Sequence, residues 1–587
     1  MSSTSGKAFD LGLVRRILGY ARPYKAYFYW SIVLTVLLAL ISPVRPYLIE
    51  YTVNHYILYY QFQGLLKMTL IMLFLLGVQT LIQYFHSFLT NSLGQSVIKD
   101  MRVETFNTIL YSRLKFFDKT PLGQLNTRTI SDLETIADVF SDGLIEIVGS
   151  ILQILALMGF MFYSDFRLTL VVLAPIPILF AGTLVFQKSI KKAFTSVRTE
   201  VAALNSFLQE HITGISLIQI FAREDQEMNK FKKINGRYRD ANIRSNFSYS
   251  VFFPFVEIIS ALSMGLLIWY GSARILSHDL SPGLVVSFLL YINLLFRPIR
   301  DLADKFNTLQ LGMVSAGRIF YLFDHKEFTP DLGKAIPPPF EGKIEFENVW
   351  FAYNEDDWVL KNISFTVNPG QTIALVGATG AGKSSIIQIL SRFYEINKGS
   401  IKLDGIDIRE YSLQDLRSRI KTVQQDVFLF SNTIAENIRM GDMGITDQKI
   451  RIAAERVGAH SFIERLPASY SYNVMERGGT LSIGQAQLLS FIRALVHDPK
   501  ILVLDEATSS VDHETEEMIQ EAILKLMEGR TSIIIAHRLS TIGHVDKIIL
   551  LDKGEIKEIG SHQELLKKGG AYKRLYDLQF NSQGIRA

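Results

Sequence analysis

The chain has 587 residues, 48% of them hydrophobic and 20% charged, and is too long for one ordinary domain of roughly 100–200 residues. Its 61 basic residues against 57 acidic ones leave a net charge of +4, which supplies no global field for an acidic substrate, and no nucleic-acid partner is expected. The absence of cysteine excludes disulfides, thiol catalysis and cysteine-ligated metal.

Residues 1–25 form a basic leading segment that contains Arg15, Arg16, Arg22 and Lys25. It resembles the charged front of a signal peptide, but the apolar run behind it is too long, no small-x-small cleavage site follows, and further spans come after it. A cytoplasmic elbow is the expectation. From 26 to 323 the apolar excess is concentrated in runs near 26–48, 65–89, 144–163, 168–186, 251–275 and 284–302. Each approaches the ~20 helical residues that cross a hydrocarbon core of about 30 Å, so a six-helix transmembrane domain is predicted. Arg297, Pro298 and Arg300 interrupt the last run, whose lower part is expected to leave the lipid.

Lysine and arginine set the orientation, because basic loops stay cytoplasmic. The N-terminus and the segments 90–140 and 187–250 are rich in them, whereas the short connections 164–167 and 277–283 carry few. Both termini are therefore expected in the cytoplasm of a multi-pass protein of the cell (inner) membrane. The two basic segments hold apolar residues at helical spacing and few breakers, so they read as membrane helices continuing into the cytoplasm. Their reversals are predicted near 117–124, with Pro121 and Gly123, and near 210–216, with Gly214.

Ionisable residues inside spans are costly and suggest function first. Glu257 either receives a cationic amphiphile or pairs with a basic neighbour. Arg45 and Glu50, flanked by Pro43 and Pro46, lie five apart and do not stack on one helix face, so separate partners are expected. Tyr27, Phe28, Tyr29 and Trp30 fit an interfacial aromatic belt.

Residues 324–342, which include Ile336-Pro337-Pro338-Pro339, read as a linker. In 343–587 short β-branched runs alternate with helical segments, the pattern of an α/β domain with a mostly parallel sheet. Gly377-Ala378-Thr379-Gly380-Ala381-Gly382-Lys383-Ser384 fits the phosphate-loop (P-loop) pattern between a strand and the helical run that begins at Ser385. Glycines there let backbone N–H groups wrap phosphates at a helix N-terminus, Lys383 reaches the β- and γ-phosphates, and Ser384 offers a hydroxyl to Mg²⁺. ATP and Mg²⁺ are the expected cofactors. Ile501-Leu502-Val503-Leu504 ends in Asp505 and Glu506, a buried strand with two acids at its tip. Asp505 is expected to hold Mg²⁺ through water and Glu506 to polarise the attacking water.

With these motifs the chain resembles a type IV (B-type) ABC exporter half-transporter over nearly its whole length, and Leu481-Ser482-Ile483-Gly484-Gln485 stands where that family has Leu-Ser-Gly-Gly-Gln. The resemblance implies that Ser482, Gly484 and Gln485 cap the γ-phosphate held by the other subunit, so that a second half-transporter is required. It further implies that Tyr353 stacks on adenine, that Gln425 senses Mg²⁺, with Gln424 beside it as the competing assignment, and that Glu476-Arg477-Gly478-Gly479 contacts the coupling helices. Asp512, in Ser509-Ser510-Val511-Asp512, matches the loop crossing between two sites, and His537 the switch histidine.

The departure is Ile483, where the family has glycine; isoleucine brings bulk and a stiffer backbone. Either the chain pairs with a different half-transporter and contributes the altered signature to a weak site, the favoured reading, or a homodimer tolerates the change twice. The implied function is export of amphiphilic drugs, lipids or similar cargo by alternating access, with an ATP-gated channel or regulator as the alternative. A GTPase or soluble kinase is disfavoured, because Asn397-Lys398-Gly399-Ser400 lacks an acid for guanine and six spans would go unexplained.

Overall fold

The structure, a computed structural model, describes residues 11–331, 333, 339–354, 357–505, 513–536 and 542–580. Its contacts divide the chain into two compact units: Met1–Leu110 with Pro121–Lys326, and Tyr111–Thr120 with Glu327–Ala587.

The first unit is helical. Among the described residues, six helices are long and apolar enough to cross a membrane: Arg22–Ile57, Phe62–Leu110, Leu122–Ser164, Phe166–Thr213, Glu224–Leu276 and Pro282–Ile299. Their outward positions are apolar, as at Leu73, Phe74, Phe180, Val185 and Trp269, which is the arrangement a hydrocarbon solvent favours. The interior holds two clusters. One gathers Leu93, Val97, Met101, Ile136, Phe140 and Phe320, the other Leu157, Val172, Val256, Leu267, Phe288 and Phe296. Gly312 allows a close helix crossing, since a Cβ there would stand 2.0 Å from Val139 Cγ2 and 3.2 Å from the Thr135 carbonyl oxygen.

Five of these helices run far past the apolar spans read at 65–89, 144–163, 168–186, 251–275 and 284–302. Glu224–Leu276 covers 53 residues and passes through Pro254. Pro282–Asp324 covers 43 residues and passes through Pro298, so the interruption read from the sequence does not end the helix. One proline removes a single ladder bond, and the packed neighbours hold the rest of the helix together. Within 210–216 the chain turns at Gly214 between Ile176–Thr213 and the short helix Ile215–Ile220. The leading helix Leu11–Tyr20 buries Val14 and Ile17, while Arg16 pairs with Asp324 at 2.7 Å and lies over the Phe320 ring.

Of Arg45 and Glu50, the Glu50 carboxylate accepts from Ser287 at 3.0 Å, and Arg45 is exposed.

Among its described residues the second unit carries two sheets. Strands β1 (Ile344–Ala352), β2 (Trp358–Val367), β4 (Lys398–Leu403) and β5 (Ile406–Asp407) form an antiparallel sheet in the order β2-β1-β4-β5. Strands β3 (Thr372–Val376), β6 (Ile420–Val423), β7 (Ile501–Asp505), β8 (Thr531–Ile535), β9 (Lys547–Asp552) and β10 (Glu555–Gly560) form the second, ordered β10-β9-β3-β8-β7-β6. All its pairs are parallel except β9–β10. Every residue of β3 and β8 is buried, because both faces are covered, which explains the unbroken apolar runs. The two-residue period sends Ala374, Val376, Leu502 and Leu504 into one core and Ile373, Leu375, Ile501 and Val503 into the other.

Candidate nucleotide site

The parallel register aligns three strand ends on one edge. Leu375 of β3 pairs with Ile535 of β8, and Ile535 pairs with Asp505 of β7. The carboxyl ends of parallel strands are where α/β sheets receive ligands. Residues 377–382 leave β3 at this edge and lead into the helix Lys383–Leu390. Gly380 and Gly382 have φ of 82° and 100°, in the left-handed region that a side chain disfavours. At Gly377 a Cβ would stand 2.2 Å from the Leu551 carbonyl oxygen, so the loop can leave the sheet here only without a side chain.

Lys383 folds back over its own loop. Its Nζ donates to the carbonyls of Gly377 at 2.8 Å and Ala378 at 3.0 Å, and the residue is only 7% exposed. Burial pushes its pKa down, opposed by the negative charge of Asp505. Ser384 is exposed, Ser385 is buried, and Thr379 is exposed on the loop while Ala381 is buried. Glu506 and His537 follow Asp505 and Ala536 directly in sequence; with Ser509, Ser510, Val511 and Asp512 they lie outside the described residues.

Tyr353 follows β1 and is half-buried. Its hydroxyl donates to Gln388 Oε1 at 2.6 Å and is hydrogen-bonded to Ser385 Oγ at 3.0 Å, so it is tied to the phosphate-loop helix. Its ring meets Phe351 and Tyr394 edge-on, with centroids 4.8 and 5.0 Å away. Burial raises its pKa.

After β6, Gln424, Gln425 and Asp426 are all exposed. Gln424, rather than Gln425, lines a neighbouring cavity of about 400 Å³ together with Asp426, Phe428, Arg493 and His497. The signature segment sits elsewhere, at the start of the helix Ile483–Val496. Ser482 caps it, accepting from Gln485 N, while the Gln485 side chain accepts from Ser482 N. Ile483 takes the first helical position and points outward, 64% exposed, and Gly484 is buried. Glu476 and Arg477 are exposed, and a Cβ on Gly478 would lie 2.8 Å from Leu429 Cδ1.

One element of this unit was not anticipated. The helix Leu114–Lys119 comes from the turn between the second and third long helices, yet it belongs to the second unit. Arg113 N donates to the Glu327 carbonyl at 2.9 Å and Arg113 Nε to the Phe328 carbonyl at 2.7 Å. Asp118 accepts a hydrogen bond from the Tyr394 hydroxyl. The sequence marks a reversal here at Pro121 and Gly123, which names no partner.

Known proteins show the same organisation. The family profile described as "ABC transporter transmembrane region" matches residues 28–299, and that described as "ABC transporter" matches 360–509. The chain is 37% identical over 582 residues to the uncharacterized ABC transporter ATP-binding protein YknV of Bacillus subtilis, covering 98% of this chain and 96% of the relative. This chain belongs to the ABC transporters, as a type IV exporter half-transporter.

Two further relatives bear on transport. The probable multidrug resistance ABC transporter ATP-binding/permease protein YheH of Bacillus subtilis is 38% identical over 512 residues, 86% of this chain and 75% of the relative. The ATP-dependent lipid A-core flippase of Syntrophus aciditrophicus is 32% identical over 576 residues, 98% of this chain and 96% of the relative. The half-transporter is thus a multi-pass membrane protein whose nucleotide domain is an ABC-type ATPase coupled to transport.

Proposed function

We propose that the half-transporter exports amphiphilic drugs, lipids or similar cargo from the cytoplasm or inner leaflet, by alternating access, as one of two subunits in a dimer. The observation that carries this reading is the membership of Tyr111–Thr120, a segment joining two membrane helices, in the nucleotide-binding unit. ATP closure of paired nucleotide domains then biases the membrane helices between two states, as differential binding must. In this scheme Lys383 holds the β- and γ-phosphates, residues 377–385 wrap them, Tyr353 stacks on adenine, Glu506 polarises water and His537 contacts the γ-phosphate. Ser384, Gln425 and Asp505 supply hydroxyl, amide and carboxylate oxygens, the hard donors Mg²⁺ prefers. Ser482, Gly484 and Gln485, with the loop at Asp512, serve the partner's site. Both termini face the cytoplasm.

Dimerisation is supported by the turn between the fourth and fifth long helices. Ile212, Leu217, Ile220 and Phe221 there are 60–77% exposed. Such apolar residues beyond the span need a protein partner. Cargo of mixed polarity is supported by a groove of about 710 Å³ along the second long helix, lined by Thr80, Gln83, Tyr84, Ser87, Asn91 and Gln95 among others. These uncharged polar groups are poorly placed against lipid tails. The names of the relatives, one a probable multidrug resistance protein and one a lipid flippase, point the same way.

The partner is taken to be a different half-transporter, because Ile483 alters the signature offered to it. Purified chain alone is expected to hydrolyse ATP slowly; full exporter-like turnover by a homodimer overturns the different-partner reading. ATP-driven accumulation of a fluorescent amphiphile in vesicles tests export itself. Only downhill flux, insensitive to Glu506→Gln, would instead identify a gated channel.

A further inference from the structure

We propose that Tyr394 is a positioning residue that carries occupancy of the base site to the helix Leu114–Lys119, so that the membrane region reads the adenine ring as well as the phosphates. The proposal rests on the reading of Tyr353 as the ring that meets adenine. Tyr353 is held at two points. Its hydroxyl is tied to Ser385 and Gln388 on the phosphate-loop helix, and its ring stands edge-on to Tyr394 with an interplanar angle of 88°. An edge-to-face pair has a preferred geometry, so a base stacking on Tyr353 shifts its neighbour as well.

Tyr394 has little freedom to absorb that shift. It is 9% exposed, and Phe351 packs against it at 5.9 Å and 67°. Its hydroxyl donates to the Asp118 carboxylate, and a hydrogen bond to a charged acceptor is stronger than one between neutral groups. Burial and this bond together push the Tyr394 pKa up, which keeps the phenol protonated and donating. Asp118 lies one residue from the end of a six-residue helix whose N-terminal flank, Arg113, is fixed to the linker carbonyls of Glu327 and Phe328. Displacement of Tyr394 therefore tilts the helix about that fixed end.

The test uses the transporter in lipid nanodiscs, assembled with its partner half-transporter. Because the chain has no cysteine, Lys119→Cys places a single environment-sensitive fluorophore on the exposed end of the helix. The probes are a non-hydrolysable ATP analogue and inorganic tripolyphosphate, each at saturation, with binding of the analogue measured separately. Loss of a hydrogen bond to a charged acceptor is worth roughly tenfold or more, so Tyr394→Phe is expected to cut the label response to the analogue by at least about that factor while analogue affinity stays as in the parent. Asp118→Asn should behave alike, and the double variant should lose nothing further, as two halves of one contact require. A parental response in Tyr394→Phe, or equal responses to tripolyphosphate and the ATP analogue, overturns the proposal. Tyr353→Ala separates the two readings: unchanged analogue affinity there sinks the stacking role of Tyr353, whereas weakened affinity with a parental Tyr394→Phe response sinks only the link.

Discussion

Ser482 and Gln485 exchange hydrogen bonds across the first turn of their helix, at 3.2 Å into the serine hydroxyl and 3.0 Å into the glutamine amide oxygen. Ile483 stands between them with its side chain in solvent. The cap therefore forms without the usual glycine, and the departure acts on what the segment presents to a partner, not on how it folds.

Ser482→Ala is accordingly expected to destabilise the helix start by about 1 kcal/mol. It should also slow hydrolysis in the assembled transporter. Ile483→Gly should cost about 0.5–1 kcal/mol of local stability through backbone entropy yet raise ATP turnover. Thermal unfolding together with ATPase rates separates the two effects; a fall in turnover in Ile483→Gly counts against an altered signature as the weak point.

Lys383→Ala removes the cation buried over the phosphate loop. Losing one preorganised charge-stabilising donor typically costs about 10²–10³ in rate, and hydrolysis should fall into that range. Gly377→Ala should reduce stability and nucleotide binding together, because its methyl group would stand 2.2 Å from the Leu551 carbonyl oxygen. Nucleotide binding and melting measured on the same preparation check both.

Glu506→Gln is expected to keep ATP binding and lower hydrolysis by roughly 10²–10⁴, the usual worth of a general base. Retained hydrolysis would assign the base elsewhere.

His497 sets a pH dependence. Burial pushes its pKa below the ordinary 6.5, helped by the nearby Lys421 and Arg493 cations and opposed by Asp442. Below 6.5 the unfolded chain takes up a proton that folded His497 refuses, so stability falls with pH between 6.5 and the lowered folded value, and is fully present above 6.5. The melting temperature of His497→Gln should drop less than that of the parent between about pH 7.5 and 5.5.

Glu257 projects from the fifth long helix at an exposed position. Glu257→Gln is expected to leave basal ATPase intact and change its stimulation by cationic amphiphiles; unaltered stimulation by every compound in a panel would remove Glu257 from the cargo path.

Much of this was legible beforehand because it is local. Apolar runs near the bilayer length mark spans, and unbroken runs in β3, β7 and β8 mark strands covered on both faces. What hydropathy could not give was where helices stop. The first span reads as ending near 48, yet helical structure continues to Ile57. Asn54 holds that extension in place, accepting from Gly283 N at 2.9 Å and donating to the Ser281 hydroxyl at 2.9 Å. Partners 227 positions apart leave no periodic trace. The same holds for Tyr394 and Asp118, 276 positions apart, each an unremarkable residue until the fold brings them together. Gln424 and Gln425 remain alike to the eye of the sequence, and both are exposed after β6.

The sharing of Tyr111–Thr120 between the membrane turn and the nucleotide unit also bears on how the protein is made. The ribosome delivers this short helix early, while its binding surface around Tyr394 is still unsynthesised. It must wait at the membrane face until the later domain folds against it. The second unit is thus complete only when this early-made segment and the late-made residues around Tyr394 are both in place, so its folding cannot finish within the C-terminal domain alone.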